Sequence, residues 1–112
     1  VCSSDLRGIR DALTSGNRKG GFLLIAETEG RIAGALVMQR TGMKGYVPEN
    51  LLLFVAVAPE LRGKSLGRLL IERAIRESEG NIKLHVEYDN PARKLYERIG
   101  FTSKYAEMRY MK

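Results

Sequence analysis

The chain has no tryptophan, one histidine and one cysteine among its 112 residues. A lone cysteine excludes a disulfide framework and a multi-cysteine metal site, so no metal is expected and a reducing, cytoplasmic setting is the default. No apolar run is long enough to span a bilayer, and no secretory leader pattern opens the chain, so a membrane is not an expected partner. Internal repeats and low-complexity tracts are absent, and the length suits one small domain over residues 1–112. Aromatic residues make up only 7% of the chain, which leaves little stacking surface for nucleic acid. What the sequence does have is basic charge: 19 Lys and Arg against 13 Asp and Glu, a net +6. It is spread without a run of one sign, which reads as a solvated basic surface that favours acidic partners. An apolar content of 44% is enough for a core.

The stretch from Phe54 to Gly80 organises the rest. Phe54 to Ala58 is a short apolar run rich in β-branched residues, as in a strand buried on both faces, and Pro59 stops it. A helix follows from about Ser65. Leu66, Leu69, Leu70, Ala74 and Ile75 form its apolar stripe, and Glu72–Arg76 and Arg73–Glu77 stand four apart on the other side. Gly80 suits a left-handed C-terminal cap. Between strand and helix lies Arg62-Gly63-Lys64-Ser65-Leu66-Gly67-Arg68. Small residues at a helix N-terminus let anionic oxygens approach unpaired N–H groups, and three basic side chains add charge. The loop therefore reads as an anion site, with a solvated basic turn as the plain alternative. Gly63-Lys64-Ser65 also looks like the end of a P-loop, but Ala58 stands where that pattern needs its first glycine.

Taken in order, Val1-Cys2-Ser3-Ser4-Asp5-Leu6 is also what the end of a common sequencing adapter encodes. These six residues are expected to be a read-through on a truncated gene and are set aside, with a genuine Ser/Asp helix cap as the plain alternative. Leu6, Ile9 and Leu13 predict a short amphipathic helix up to Gly16. Gly21–Thr28 and Arg31–Arg40 predict a hairpin turning at Glu29-Gly30, with Gly34 marking a bulge or a close approach. Thr41 to Asn50 predicts a loop, in which Tyr46 and Glu49 are candidates for substrate contact or plain exposed residues. Asn81 to Tyr88 predicts a strand reached by a right-handed crossover. Asp89-Asn90-Pro91 opens a helix that Gly100 ends, and Phe101 to Met111 predicts one or two antiparallel strands.

The run V-x-V-x-P-x-x-R-G-K-x-x-G-x-x-L resembles the acyl-CoA loop of the GNAT N-acetyltransferases, with Arg62 and Gly67 in place and Ser65 where the family usually has its middle glycine. Leu84 to Asn90, followed by Ala92, Leu95-Tyr96 and Gly100-Phe101, is similar to the family's second signature, one residue shorter between Asn90 and Tyr96. That shortening leaves open whether Asp89 or Asn90 meets CoA. The resemblance implies an α/β acyl-CoA N-acyltransferase fold, a mixed and mostly antiparallel sheet flanked by helices. The family's first strand is missing from the predicted elements, which leaves a sheet edge open and a homodimer conceivable.

The implied reaction moves an acetyl group from acetyl-CoA, the co-substrate, to an amine of a small molecule or a protein. Val55, Val57, Arg62, Gly63, Lys64, Ser65, Leu66, Gly67, Arg68 and Asn90 are the implied cofactor-binding residues. The backbone N–H of Val57 would face the thioester carbonyl, and Tyr96 would be the general acid. His85 stands in a Leu84-His85-Val86 string like that of the protein N-terminal acetyltransferase branch, where the histidine is a base acting through water. Glu49 and Glu87 are alternatives, and an amine arriving neutral would need no base. A non-catalytic acyl-CoA-binding regulatory module is the competing reading.

Overall fold

The computed structural model describes residues 8–11 (backbone), 20–45, 47–61 and 65–112. One five-stranded sheet runs in the order β1-β2-β3-β4-β5, from Gly8–Asp11, Gly21–Thr28, Arg31–Arg40, Asn50–Val57 and Ile82–Leu84. The first four strands pair antiparallel, and β5 pairs parallel to β4. Two helices follow the strands they serve: α1 (Leu66–Glu77) and α2 (Ala92–Ile99).

The β2–β3 hairpin forms where the alternation places it. Its turn residues Glu29 and Gly30 both have positive φ (49° and 77°), as a two-residue turn matched to strand twist requires. Phe22, Leu24 and Ala26 of β2, Leu36 and Met38 of β3 and Leu52 of β4 turn one face of the sheet toward α1. Leu66, Leu70, Ile71 and Ala74 are buried on the helix side. Gly34 serves both purposes its position suggested. Ala33 is the extra residue of a bulge opposite Ala26 and Glu27, and a Cβ on Gly34 would stand 3.0 Å from a Leu70 methyl and from the Ala56 carbonyl. On the outer face of α1, Arg73 pairs with Glu77 at 2.8 Å, while Glu72 pairs with Arg68 at 2.9 Å rather than with Arg76.

Five expectations are corrected. Phe54 to Ala58, expected to be buried on both faces, has no fully buried residue, with Phe54 51% exposed, because the core forms on the α1 face of the sheet alone. Gly80, expected to cap α1, lies beyond Ser78, which ends the helix in an extended conformation. The helix predicted from Leu6 to Gly16 is not formed at Gly8–Asp11, which is a strand in register with Leu24–Glu27. A three-turn helix is marginal alone, whereas the outer edge of β2 offers unpaired N–H and C=O groups to an extended segment. The edge expected to lack its strand is therefore covered along that stretch. The strand predicted over Asn81–Tyr88 is paired only at Ile82–Leu84. Finally, residues 101–112 contain no strand. Tyr105, Met108, Tyr110 and Met111 are exposed: the weak alternation of Ala106, Met108 and Tyr110 is interrupted on the other face by Ser103, Glu107 and Arg109, and no strand of the sheet pairs with this segment among the described residues. Among the described residues no helix is long and apolar enough to cross a membrane.

Candidate active site

The parallel ladder pairs Asn50 with Ile82, Leu51 with Lys83 and Leu52 with Leu84, and then stops. Strand β4 continues to Val57, so Leu53 to Val57 have no ladder partner on that side among the described residues. A bulge explains the parting. Leu53 is an extra residue between the Met38–Leu52 and Val37–Phe54 pairs, and a bulge bends its strand. The result is a V-shaped gap with its apex at Leu52 and Leu84.

The backbone of β4 arms this gap. The Ala58 N–H donates to the Ala33 carbonyl at 2.8 Å, which fixes the phase of the antiparallel ladder with β3. Alternate residues, Ala56 and Phe54, point their N–H groups at β3, so Val55 and Val57 turn theirs into the gap. Helix α1 begins beside it. Ser65 precedes the helix in the left-handed region (φ 65°) and makes no side-chain cap, so its hydroxyl takes up none of the first-turn N–H groups. Gly67 lies where β4, α1 and α2 converge. A Cβ there would be 3.8 Å from both Val57 Cγ2 and Leu95 Cδ2. Leu66 is a buried core residue, and Arg68 lies along the helix against Glu72. Arg62, Gly63, Lys64 and Tyr46 lie outside the described residues.

Tyr96 and His85 stand on opposite faces of the sheet. Tyr96 is half-buried on α2, packed against the α1-side core and edge-on to Phe101, with ring centroids 5.9 Å apart. Burial pushes its phenol above the ordinary tyrosine value, which favours the protonated form. His85 follows Leu84, which packs against the core, so the alternation turns its exposed ring to the other face. Segment 102–112 passes near it: Arg109 holds the Glu107 carboxyl below the usual range, and His85 adds a smaller effect. The Asn90 side chain caps α2, its Oδ1 accepting the Ala92 N–H at 2.9 Å, while Asp89 is exposed.

Glu49 is placed away from the gap. Its carboxylate accepts the Asn81 N–H at 2.8 Å at the opposite end of β4 from Val57. That bond holds it below the ordinary glutamate range, with its own backbone N–H contributing next. A depressed carboxyl stabilises the fold above its unfolded value and loses that contribution as pH falls through the folded one. The Asn81 amide is thus expected to lose hydrogen-exchange protection as the pH falls below the ordinary glutamate range. Glu49→Gln should lack this acid-dependent step, and a Gln variant that keeps it would show that another group titrates. Sequence reasoning missed Asn50, which ties β4 to the same turn. Its one signal is a carboxamide opening the apolar run Asn50–Val57.

Comparison with known proteins places the chain in a family. Residues 19–103 match the model of the acetyltransferase (GNAT) domain. The chain belongs to the GNAT acetyltransferase family. It is 37% identical over 84 residues to the 5-NmdU N-acetyltransferase of Pseudomonas phage PaMx11, covering 73% of this chain and 58% of that protein. It is 33% identical over 96 residues to the mycothiol acetyltransferase of Arthrobacter sp. strain FB24, covering 80% of this chain and 30% of the relative. The chain thus spans little more than half of the first relative and under a third of the second. In fold it is similar to the aminoglycoside N-acetyltransferase AAC(6')-Iy solved with CoA, at a TM-score of 0.67 and 19% identity, over 81% of this chain and 66% of that one.

Proposed function

We propose that this chain transfers an acetyl group from acetyl-CoA to a primary amine by direct attack. The observation that carries the reading is the gap beyond Leu52 and Leu84, with the Val55 and Val57 N–H groups turned into it beside Gly67. An extended amide-bearing ligand such as pantetheine pairs with these groups as a partial strand would. Its pyrophosphate falls at the start of α1, with Arg62, Gly63, Lys64, Ser65 and Gly67 around it. Because Val57 lies beside Gly67 at the mouth, its N–H suits a pantetheine carbonyl. The thioester carbonyl then reaches the Val55 N–H, one pleat deeper, which replaces the assignment to the Val57 N–H that the family resemblance implied. Asn90, occupied as a helix cap through Oδ1, keeps its Nδ2 for CoA.

The two faces divide the proton chemistry. The amine approaches on the face of His85, where Leu53 and Phe54 are each 51% exposed. His85 accepts the ammonium proton through water, and the lone pair so freed attacks the thioester carbon. The Val55 N–H stabilises the oxyanion that forms. Collapse breaks the C–S bond, Tyr96, on the opposite face, protonates the departing sulfur, and the attacking nitrogen loses its second proton to solvent to leave the neutral amide. The proton held by His85 returns to solvent, where the Tyr96 phenolate recovers its own.

Calorimetric titration with CoA and acetyl-CoA, followed by a screen of amines for free-thiol release, tests the reading. Saturable binding and amine-dependent thiol release are expected, and no affinity at millimolar acetyl-CoA overturns it. His85→Gln should lower kcat by about tenfold or more and flatten the acid limb of the pH profile. An unchanged profile rejects His85 as the base.

A further inference from the structure

Strand β5 is three residues long, and so short a parallel ladder contributes few backbone hydrogen bonds. The side chains of Glu49 and Asn50 supply what the ladder lacks. Asn50 is 1% exposed, and its Nδ2 donates to the Glu79 carbonyl at 2.8 Å and the Asn81 carbonyl at 3.1 Å. Its N–H also donates to the Asn81 carbonyl at 3.1 Å, and the Glu49 carboxylate accepts the Asn81 N–H at 2.8 Å. Gly80 turns the chain with φ +91°, and a Cβ on it would stand 2.6 Å from a Glu49 carboxylate oxygen. The turn between α1 and β5 is thereby fastened to the start of β4. A buried carboxamide is a costly way to fill a strand position, since Asn50 Oδ1 has no partner among the described residues. An aliphatic side chain would pack there without that loss. What the carboxamide adds is position: it fixes β5 lengthwise and sideways against β4, two residues from the apex of the gap.

We propose that Asn50, assisted by Glu49, is a positioning residue that sets the acyl length the gap accepts. This inference rests on the reading of the gap as the acyl-CoA site. The thioester end of the ligand points toward the apex at Leu52 and Leu84. While the turn is fastened, the apex is closed, and an acetyl group fits beyond the Val55 N–H. A longer chain meets the Leu52–Leu84 pair. Once the fastening is removed, the short ladder parts and the apex recedes toward Asn81, making room for further methylenes.

Dissociation constants for CoA, acetyl-CoA and butyryl-CoA test this without any need for the acceptor. They are measured by calorimetry on the unmodified chain, on Asn50→Ala and Glu49→Ala, and on Leu24→Ala as a control weakened in the core away from the gap. The unmodified chain should bind acetyl-CoA at least about tenfold more tightly than butyryl-CoA, the discrimination expected of a shaped apolar end. Asn50→Ala should bring the ratio within about threefold. Glu49→Ala should move it the same way by less, and the control should leave it in place. An unmodified chain that binds CoA without preferring acetyl, a ratio untouched by either variant, or an equal change in the control overturns the positioning role alone. No CoA affinity in the unmodified chain overturns the acyl-CoA reading itself. Should Asn50→Ala not fold, Glu49→Ala, altered only at a surface carboxylate, decides the matter.

Discussion

Val55→Pro is expected to lower acetyl-CoA-dependent turnover by about a hundredfold or more while the sheet stays folded, and Ala56→Pro is expected to unfold it. The contrast between neighbours follows from the phase of the β3–β4 ladder. The Ala58–Ala33 bond makes Ala56 a ladder donor, and proline there removes a hydrogen bond inside the sheet. Val55 donates nothing to β3, and proline is tolerated in a strand where its missing N–H faces away from the ladder. In the proposed reaction, however, that N–H is the oxyanion donor, and loss of one such donor costs about 10²–10³ in kcat. Val55→Ala controls for the lost side chain and should keep most of the activity. Circular dichroism and thermal melting report the fold, and thiol release reports the chemistry. Full activity in Val55→Pro would remove the N–H from the mechanism. Unfolding equal to that of Ala56→Pro would show the phase to be reversed.

Elements that carry their own instructions were legible in the sequence. The β2–β3 hairpin falls on Gly21–Thr28 and Arg31–Arg40 because period-two alternation flanks a Glu-Gly turn. Helices α1 and α2 lie where apolar spacing and the stop at Gly100 put them. Elements decided by tertiary context were not. Residues 8–11 have a helical spacing too short to hold a helix, and the open edge of β2 captures them as a strand. Beyond Leu84, the apolar letters of His85–Tyr88 look like strand, yet the Leu53 bulge has already carried β4 away. The site was legible as motifs, Val55 to Gly67 and Leu84 to Tyr96. What joins them, a gap with the Val55 and Val57 N–H groups turned into it on one side and Tyr96 and His85 on opposite faces, depends on ladder phase and register. Asn50 was passed over because a single polar residue at a strand start resembles a loop end. Only the carbonyls of Glu79 and Asn81 show what it holds.

Tyr96→Phe is expected to lower kcat by about 10²–10³ while leaving the dissociation constant of CoA within about twofold. Phenylalanine keeps the ring against the core and edge-on to Phe101, so packing and the ligand gap are preserved. What is lost, on the proposed mechanism, is the proton for the departing sulfur. Burial raises the phenol above its ordinary value, so at neutral pH the hydroxyl is protonated and ready to donate. The same shift has a consequence for stability. A group whose folded value is raised contributes fully below its unfolded value, about 10 for tyrosine, and that contribution is lost as pH rises through the folded one. Part of the alkaline loss of stability should therefore disappear in the Phe variant, whether or not the tyrosine is catalytic. Kinetics separates the roles. Unchanged turnover would make Tyr96 a packing residue, whereas lost turnover with CoA still bound identifies an enzyme rather than a regulatory acyl-CoA-binding module, because a binding module has no turnover for a proton donor to support.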